Sequence, residues 1–237
     1  MAHLEHIQKL TRDNFDQLRS QFPGFFNAGG CLLLGRQYAH PASRVLVLGI
    51  NPGPSDSVTL DVRRQEYDYL LSGPDKPRHQ NWTNARKFFN ASPRLLDAVR
   101  LATFAFCCPY RTQSWSAMPR PVKTALADSS RDLLGAIIQD CSPTLLIVTG
   151  VDGFRLFAEI MGNALQVQNV IGSGGDGRLH QWSAYRAQAF QRMLTIVQVP
   201  HFSRAGEVVK LQQCANWLVG LNGGIERTLG GTVQPGT

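Results

Sequence analysis

Val45-Leu46-Val47-Leu48-Gly49-Ile50-Asn51-Pro52-Gly53-Pro54 is the stretch from which the fold is read. Val and Leu in unbroken succession suit a strand buried on both faces of a parallel sheet, and Pro52 and Gly53 cannot prolong its ladder. The run predicts a buried strand feeding a sharp turn, with Asn51 at the strand's carboxyl edge. Ligand crevices of open α/β sheets lie outside such edges, so the one polar side chain of this turn is well placed for chemistry. Gly, Asn and Pro are also ordinary turn formers, and the turn alone does not separate a site from a strand that merely ends.

A second segment has the same form: Thr195-Ile196-Val197-Gln198-Val199-Pro200-His201-Phe202-Ser203-Arg204-Ala205-Gly206. An apolar strand is again stopped by a proline, and polar side chains follow at once. If both strands run parallel in one sheet, Asn51 and His201 face each other across a single crevice.

Together the two segments resemble the uracil-DNA glycosylase superfamily, whose members carry a strand-end Gly-x-Asn-Pro-Gly or Gly-x-Asp-Pro motif and a later His-x-Ser motif. Residues 49–54 are most similar to the mismatch-specific and single-strand-selective branches, which have Asn where others have Asp. The separation of the two motifs, roughly 150 residues, is also similar. Residues 103–112 resemble the family's second strand and the Pro-x-Arg turn after it, and residues 143–150 its third strand, so the likeness spans residues 44–220. The resemblance implies a three-layer α/β/α fold around a short, mainly parallel central sheet. It implies catalysis by Asn51 and His201, with the base held among Gly49, Ile50, Pro52, Gly53, Phe106 and Ser203. Tyr67 and Trp82 are the candidates for stacking on the base, and Phe202 or Arg204 for entering the base stack or gripping a flanking phosphate. Two positions depart from the family: Phe106 stands where an Asn reads the uracil edge, and Phe202 separates His201 from Ser203 where most relatives have Pro. Some branches hold an iron-sulfur cluster on four cysteines, and no comparable spacing occurs here.

The chemistry can be stated from the residues themselves. Cleaving an N-glycosidic bond leaves a base anion and an oxocarbenium-like sugar, so a site must stabilise negative charge on the base and deliver water to the anomeric carbon. An imidazole at His201 can donate to a developing oxyanion. The Asn51 amide has no useful basicity near neutral pH, so it orients water rather than deprotonating it, and a dissociative reaction with slow turnover is expected. Backbone N–H groups around Ile50 and Gly53 can complete an oxyanion pocket, because glycine lets a ligand approach the main chain closely.

Charge points the same way. Lys and Arg number 24 against 17 Asp and Glu, a net charge of +7 that favours a polyanionic partner over a neutral metabolite. The excess is concentrated: between residues 76 and 123, Lys76, Arg78, Arg86, Lys87, Arg94, Arg100, Arg111, Arg120 and Lys123 oppose Asp97 alone. Trp82, Phe88, Phe89, Tyr110 and Trp115 are threaded through the same stretch, as a surface holding phosphates and unstacked bases requires, with Arg86, Lys87 and Arg111 as DNA contacts. The plainer alternative makes Phe88, Phe89, Phe104 and Phe106 core residues and the basic side chains solvated helix faces. Extruding a nucleotide costs a few kcal/mol of stacking, which phosphate contacts and a wedge must offset.

At 237 residues, with 43% hydrophobic content, the chain fits one α/β domain over residues 1–222 and a flexible tail over 223–237. No apolar run approaches the roughly 18 residues of a membrane span, and residues 1–10 show no secretory pattern, so a cytoplasmic or nucleoid-associated monomer is expected. Cys31, Cys107, Cys108, Cys141 and Cys214 are odd in number and lack a Cys-x-x-Cys, which predicts reduced thiols, and no metal or cofactor is expected. Helices are predicted over 11–22, 59–71, from Ser92-Pro93 onward, and over 125–139, 152–161 and 206–221; residues 31–34 are ambiguous between strand and helix. Residues 72–79 and 118–123 read as exposed Pro-rich basic loops, and 172–177 as a glycine-rich connector lacking the Lys-Ser/Thr of a phosphate loop. The function expected is a DNA glycosylase acting on an extruded uracil or related deaminated base. Two alternatives stay open: a nucleic-acid-binding homologue that recognises a modified base without excising it, and an enzyme of free nucleosides or nucleotides.

Overall fold

The computed structural model describes residues 2–26, 30–33, 44–50, 60–63, 80–100, 102–111, 118–176, 181–202 and 208–221. Helix α1 (Ala2–Gln21) is followed by strands β1 (Gly30–Leu33), β2 (Val45–Gly49) and β3 (Leu60–Arg63), then by helices α2 (Gln80–Phe89) and α3 (Pro93–Arg100). Strand β4 (Thr103–Phe106), helix α4 (Arg120–Cys141), strand β5 (Leu145–Thr149) and helix α5 (Val151–Met161) come next. Strands β6 (Leu165–Gly174), β7 (Trp182–Ala189) and β8 (Arg192–Val199) and helix α6 (Val208–Gly220) complete the order.

The central sheet has six strands in the order β4-β2-β5-β8-β7-β6. Its first four strands are parallel: β2 pairs with β4 and β5, and β5 pairs with β8. The unbroken apolar runs are explained by burial on both faces. Val45 and Val47 of β2 face a cluster with Phe88 and Phe89 of α2, Leu95 of α3 and Leu211 of α6, while Leu46 and Leu48 face another with Leu134 of α4 and Phe157 of α5. Helices therefore cover both sides of the sheet, and the architecture is three-layer α/β/α with a mostly parallel centre.

Several local expectations are corrected. Within residues 59–71, read as helical, Leu60–Arg63 forms a strand that pairs in parallel with β1. Four residues are too few to fix a period, and pairing with residues 30–33 decides the outcome. Residues 118–123 are not wholly a loop: α4 starts at Arg120, and Pro121 occupies its first turn, where a missing N–H costs nothing. Gly172–Gly174 of the supposed connector end β6, which pairs antiparallel with β7. The antiparallel extension β8-β7-β6 was not foreseen; β7 and β8 are joined by Phe190 and Gln191, both at positive φ (47° and 64°), as a tight two-residue hairpin turn demands. The first helix begins well before residue 11. No described helix is long and apolar enough to cross a membrane. The proposed loop at 72–79 and tail at 223–237 lie outside the described residues.

Candidate active site

Four parallel strands deliver four carboxyl ends to one edge of the sheet. Phe106 closes β4, Gly49 and Ile50 close β2, Gly150 follows β5, and Pro200 and His201 follow β8. Both motif-bearing strands are thus parallel members of one sheet with β5 between them. At a strand spacing of about 4.8 Å, their ends stand about 10 Å apart, a span suited to a planar base.

Close contacts fix this edge. Gly150 has φ 81°, its N–H donates to the Val199 carbonyl at 2.6 Å, and a Cβ at this position would fall 2.9 Å from His201 Cβ and 3.1 Å from its Cδ2. The half-buried imidazole therefore lies directly on a bare α-carbon that only glycine supplies. Next to it, Thr149 Oγ1 donates to the Leu48 carbonyl at 3.2 Å, tying the end of β5 to β2. The main chain leaving β2 is held in turn, since Cys107 N–H donates to the Gly49 carbonyl at 2.8 Å and Cys108 N–H to that of Ile50 at 3.0 Å. The Ile50 side chain sits over Gly153 in the first turn of α5, where a Cβ would lie 3.1 Å from Ile50 Cγ1. On the other side, the half-buried Phe106 ring occupies the space of the missing Gly49 side chain, 2.9 Å from where its Cβ would be.

Helix α5 starts immediately after Gly150 with no side-chain cap, beside His201 and Ile50, and its first turn carries Asp152, 3.8 Å from Arg155, so the positive end of its dipole is already offset by a carboxylate. The neighbouring sulfurs are poor nucleophiles. Burial pushes the Cys107 thiol well above its ordinary value and that of Cys108 up to about 12, leaving both protonated at neutral pH. Among the described residues, no group of three or more His, Cys, Asp or Glu is placed to hold a metal ion.

The loop after β8 is anchored from the opposite layer. Phe202 is 4% exposed, its ring centroid 5.4 Å from Phe88 and 5.9 Å from Phe89 of α2. This corrects the assignment of Phe202 to the DNA surface, because a ring committed to the core cannot enter a base stack. Phe88, Phe89 and Tyr110, also read as surface aromatics, are fully buried. Of the expected phosphate contacts, Lys87 is exposed on α2, and Arg86 and Arg111 are half-buried. Trp82 lies in α2. Asn51, Pro52, Gly53, Tyr67, Ser203 and Arg204 lie outside the described residues.

Two residues of this edge escaped the sequence reading. Gly150 follows an apolar run, as Gly49 does, and that repeated strand-then-glycine pattern is the signal that marks it. Asn84, whose Nδ2 donates to the Phe202 carbonyl at 2.6 Å, has no sequence signal, because its partner is a main-chain atom 118 residues away. No protein-family model matches this chain, and no curated protein matches it in sequence.

Proposed function

We propose that this protein is a DNA glycosylase that hydrolyses the N-glycosidic bond of an extruded uracil or related deaminated base, leaving an abasic site. The observation that carries the reading is the shared carboxyl edge: the Gly-Ile-Asn-Pro-Gly strand and the Pro-His-Phe-Ser strand run parallel, one strand apart, with His201 seated on Gly150 between them. The net charge of +7 and the exposed Lys87 on α2 suit a polyanionic partner.

In this reading the base enters the gap beyond β5, with the Phe106 ring as one wall. As the glycosidic bond lengthens, its electron pair moves onto the base, and His201 donates a hydrogen bond to the carbonyl oxygen where the charge collects. The Asn51 amide holds a water below the anomeric carbon; the water adds to the oxocarbenium-like sugar and releases its proton to solvent. Without a strong base on the water, bond breaking runs ahead of attack and turnover is slow.

An oligonucleotide with one uracil, incubated with the protein and then treated with hot alkali, is expected to be cut at the uracil position. Asn51→Ala and His201→Ala are each expected to slow that cleavage by about 10²-fold or more. Equal background cutting by wild type and both variants, across a panel of altered bases, would overturn the proposal. One observation favours a second reading: the Phe106 ring offers no hydrogen bond to a base edge, as suits recognition of a modified base without excision. Retention on uracil-bearing DNA with no abasic product would mark that case.

A further inference from the structure

We infer that Asn84 is a positioning residue for His201, clamping the loop after β8 to the basic helix α2; this rests on the glycosylase reading above. The Phe202 carbonyl lies outside any regular ladder and next to a side chain that is 4% exposed, so it needs a protein donor. Asn84, itself 5% exposed, reaches it at 2.6 Å. The same helix supplies Phe88 and Phe89, against which the Phe202 ring is packed. One side of the residue after His201 is thus held by a hydrogen bond and the other by two rings, all from α2. On the near side, Pro200 is buried and restricts φ, and Gly150 receives the His201 ring. The imidazole is fixed by its neighbours on both sides, and Asn84 supplies the hydrogen-bonded part of the distal anchor beside the two α2 rings.

The test is Asn84→Leu, which keeps the branched shape of the side chain, adds no charge and removes the N–H donor. Single-turnover excision of uracil from an oligonucleotide is expected to fall by about 10- to 100-fold, because small misplacements of a reacting group have effects of that size. The dissociation constant for the same oligonucleotide is expected to stay within about twofold, a split that general loss of folding would not produce. The His201 ring resonances in a histidine-labelled sample are expected to shift. Unchanged rate and unchanged ring resonances would overturn the inference. If wild type yields no abasic product, the glycosylase reading fails, and the ring resonances alone decide whether Asn84 sets His201. Should Asn84→Leu not fold, Phe202→Leu keeps the carbonyl and loosens the ring anchor. It must displace the same resonances and slow excision, or the clamp is refuted.

Discussion

At Gly150 the main chain takes a conformation with φ 81° and ψ 150°, and its α-carbon carries the weight of a histidine ring. Alanine there meets a strained backbone and a clash 2.9 Å from His201 Cβ together. Gly150→Ala is expected to cost about 1–3 kcal/mol of stability and to slow excision further than that loss explains. Thermal unfolding beside single-turnover rates checks it; wild-type values in both would mean that the imidazole is not seated on this residue. The buried thiols set a pH dependence. Cys108 rises from 9.0 to about 12 through burial, and burial also raises Cys107, Cys214 and Tyr110. Each group is neutral when protonated, so the folded chain keeps its proton to higher pH than the unfolded chain does. That stability is complete below the unfolded value and is lost as pH rises from there toward the folded values, by up to about 1.4 kcal/mol per pH unit for each group. The melting temperature is expected to drop above about pH 9, as a calorimetric pH series would show.

Among the elements, β5 has neighbours on both edges and is buried along its whole length, whereas β6 is an edge strand with most of its residues exposed. Hydrogen exchange is expected to rank them accordingly: Leu146, Ile147 and Val148 exchange only on global unfolding, and the amides of β6 on its open side exchange orders of magnitude faster. The same contrast explains which elements could be read from the sequence. Residues 45–48 and 145–148 are legible because two-sided burial demands uninterrupted apolar side chains, and 195–199 because Ile196, Val197 and Val199 keep most of that pattern around Gln198. Residues 165–174 carry Gln, Asn, Ser and Gly in a strand with little burial to reveal it, and residues 182–189 mix Ala and Ser with Arg and Gln. Their pairing is set by the partner strand, not by their own pattern. For the site, residue types at strand ends were legible, but the burial of Phe202 was not. It depends on α2 rings that lie more than a hundred residues earlier.

For the whole molecule, the excess of 24 basic over 17 acidic residues should govern how it meets its partner. Affinity for an oligonucleotide is expected to fall at least about tenfold between 50 and 200 mM salt, and Lys87→Ala should reduce the slope of log affinity against log salt by about one. A salt-independent affinity, measured by fluorescence anisotropy, would point instead to a nucleoside-sized ligand. The sheet order has one more consequence. β5 is inserted between β2 and β8, and the residues that meet at the edge are drawn from positions 49, 84, 106, 150 and 201. Pairings across such long stretches of chain form late in folding. A chain growing on the ribosome can lay down β2, β4 and β5 and still lack the last strand. A product stopped before residue 200 lacks His201 and the Phe202 carbonyl that Asn84 holds, and so has only half of this edge.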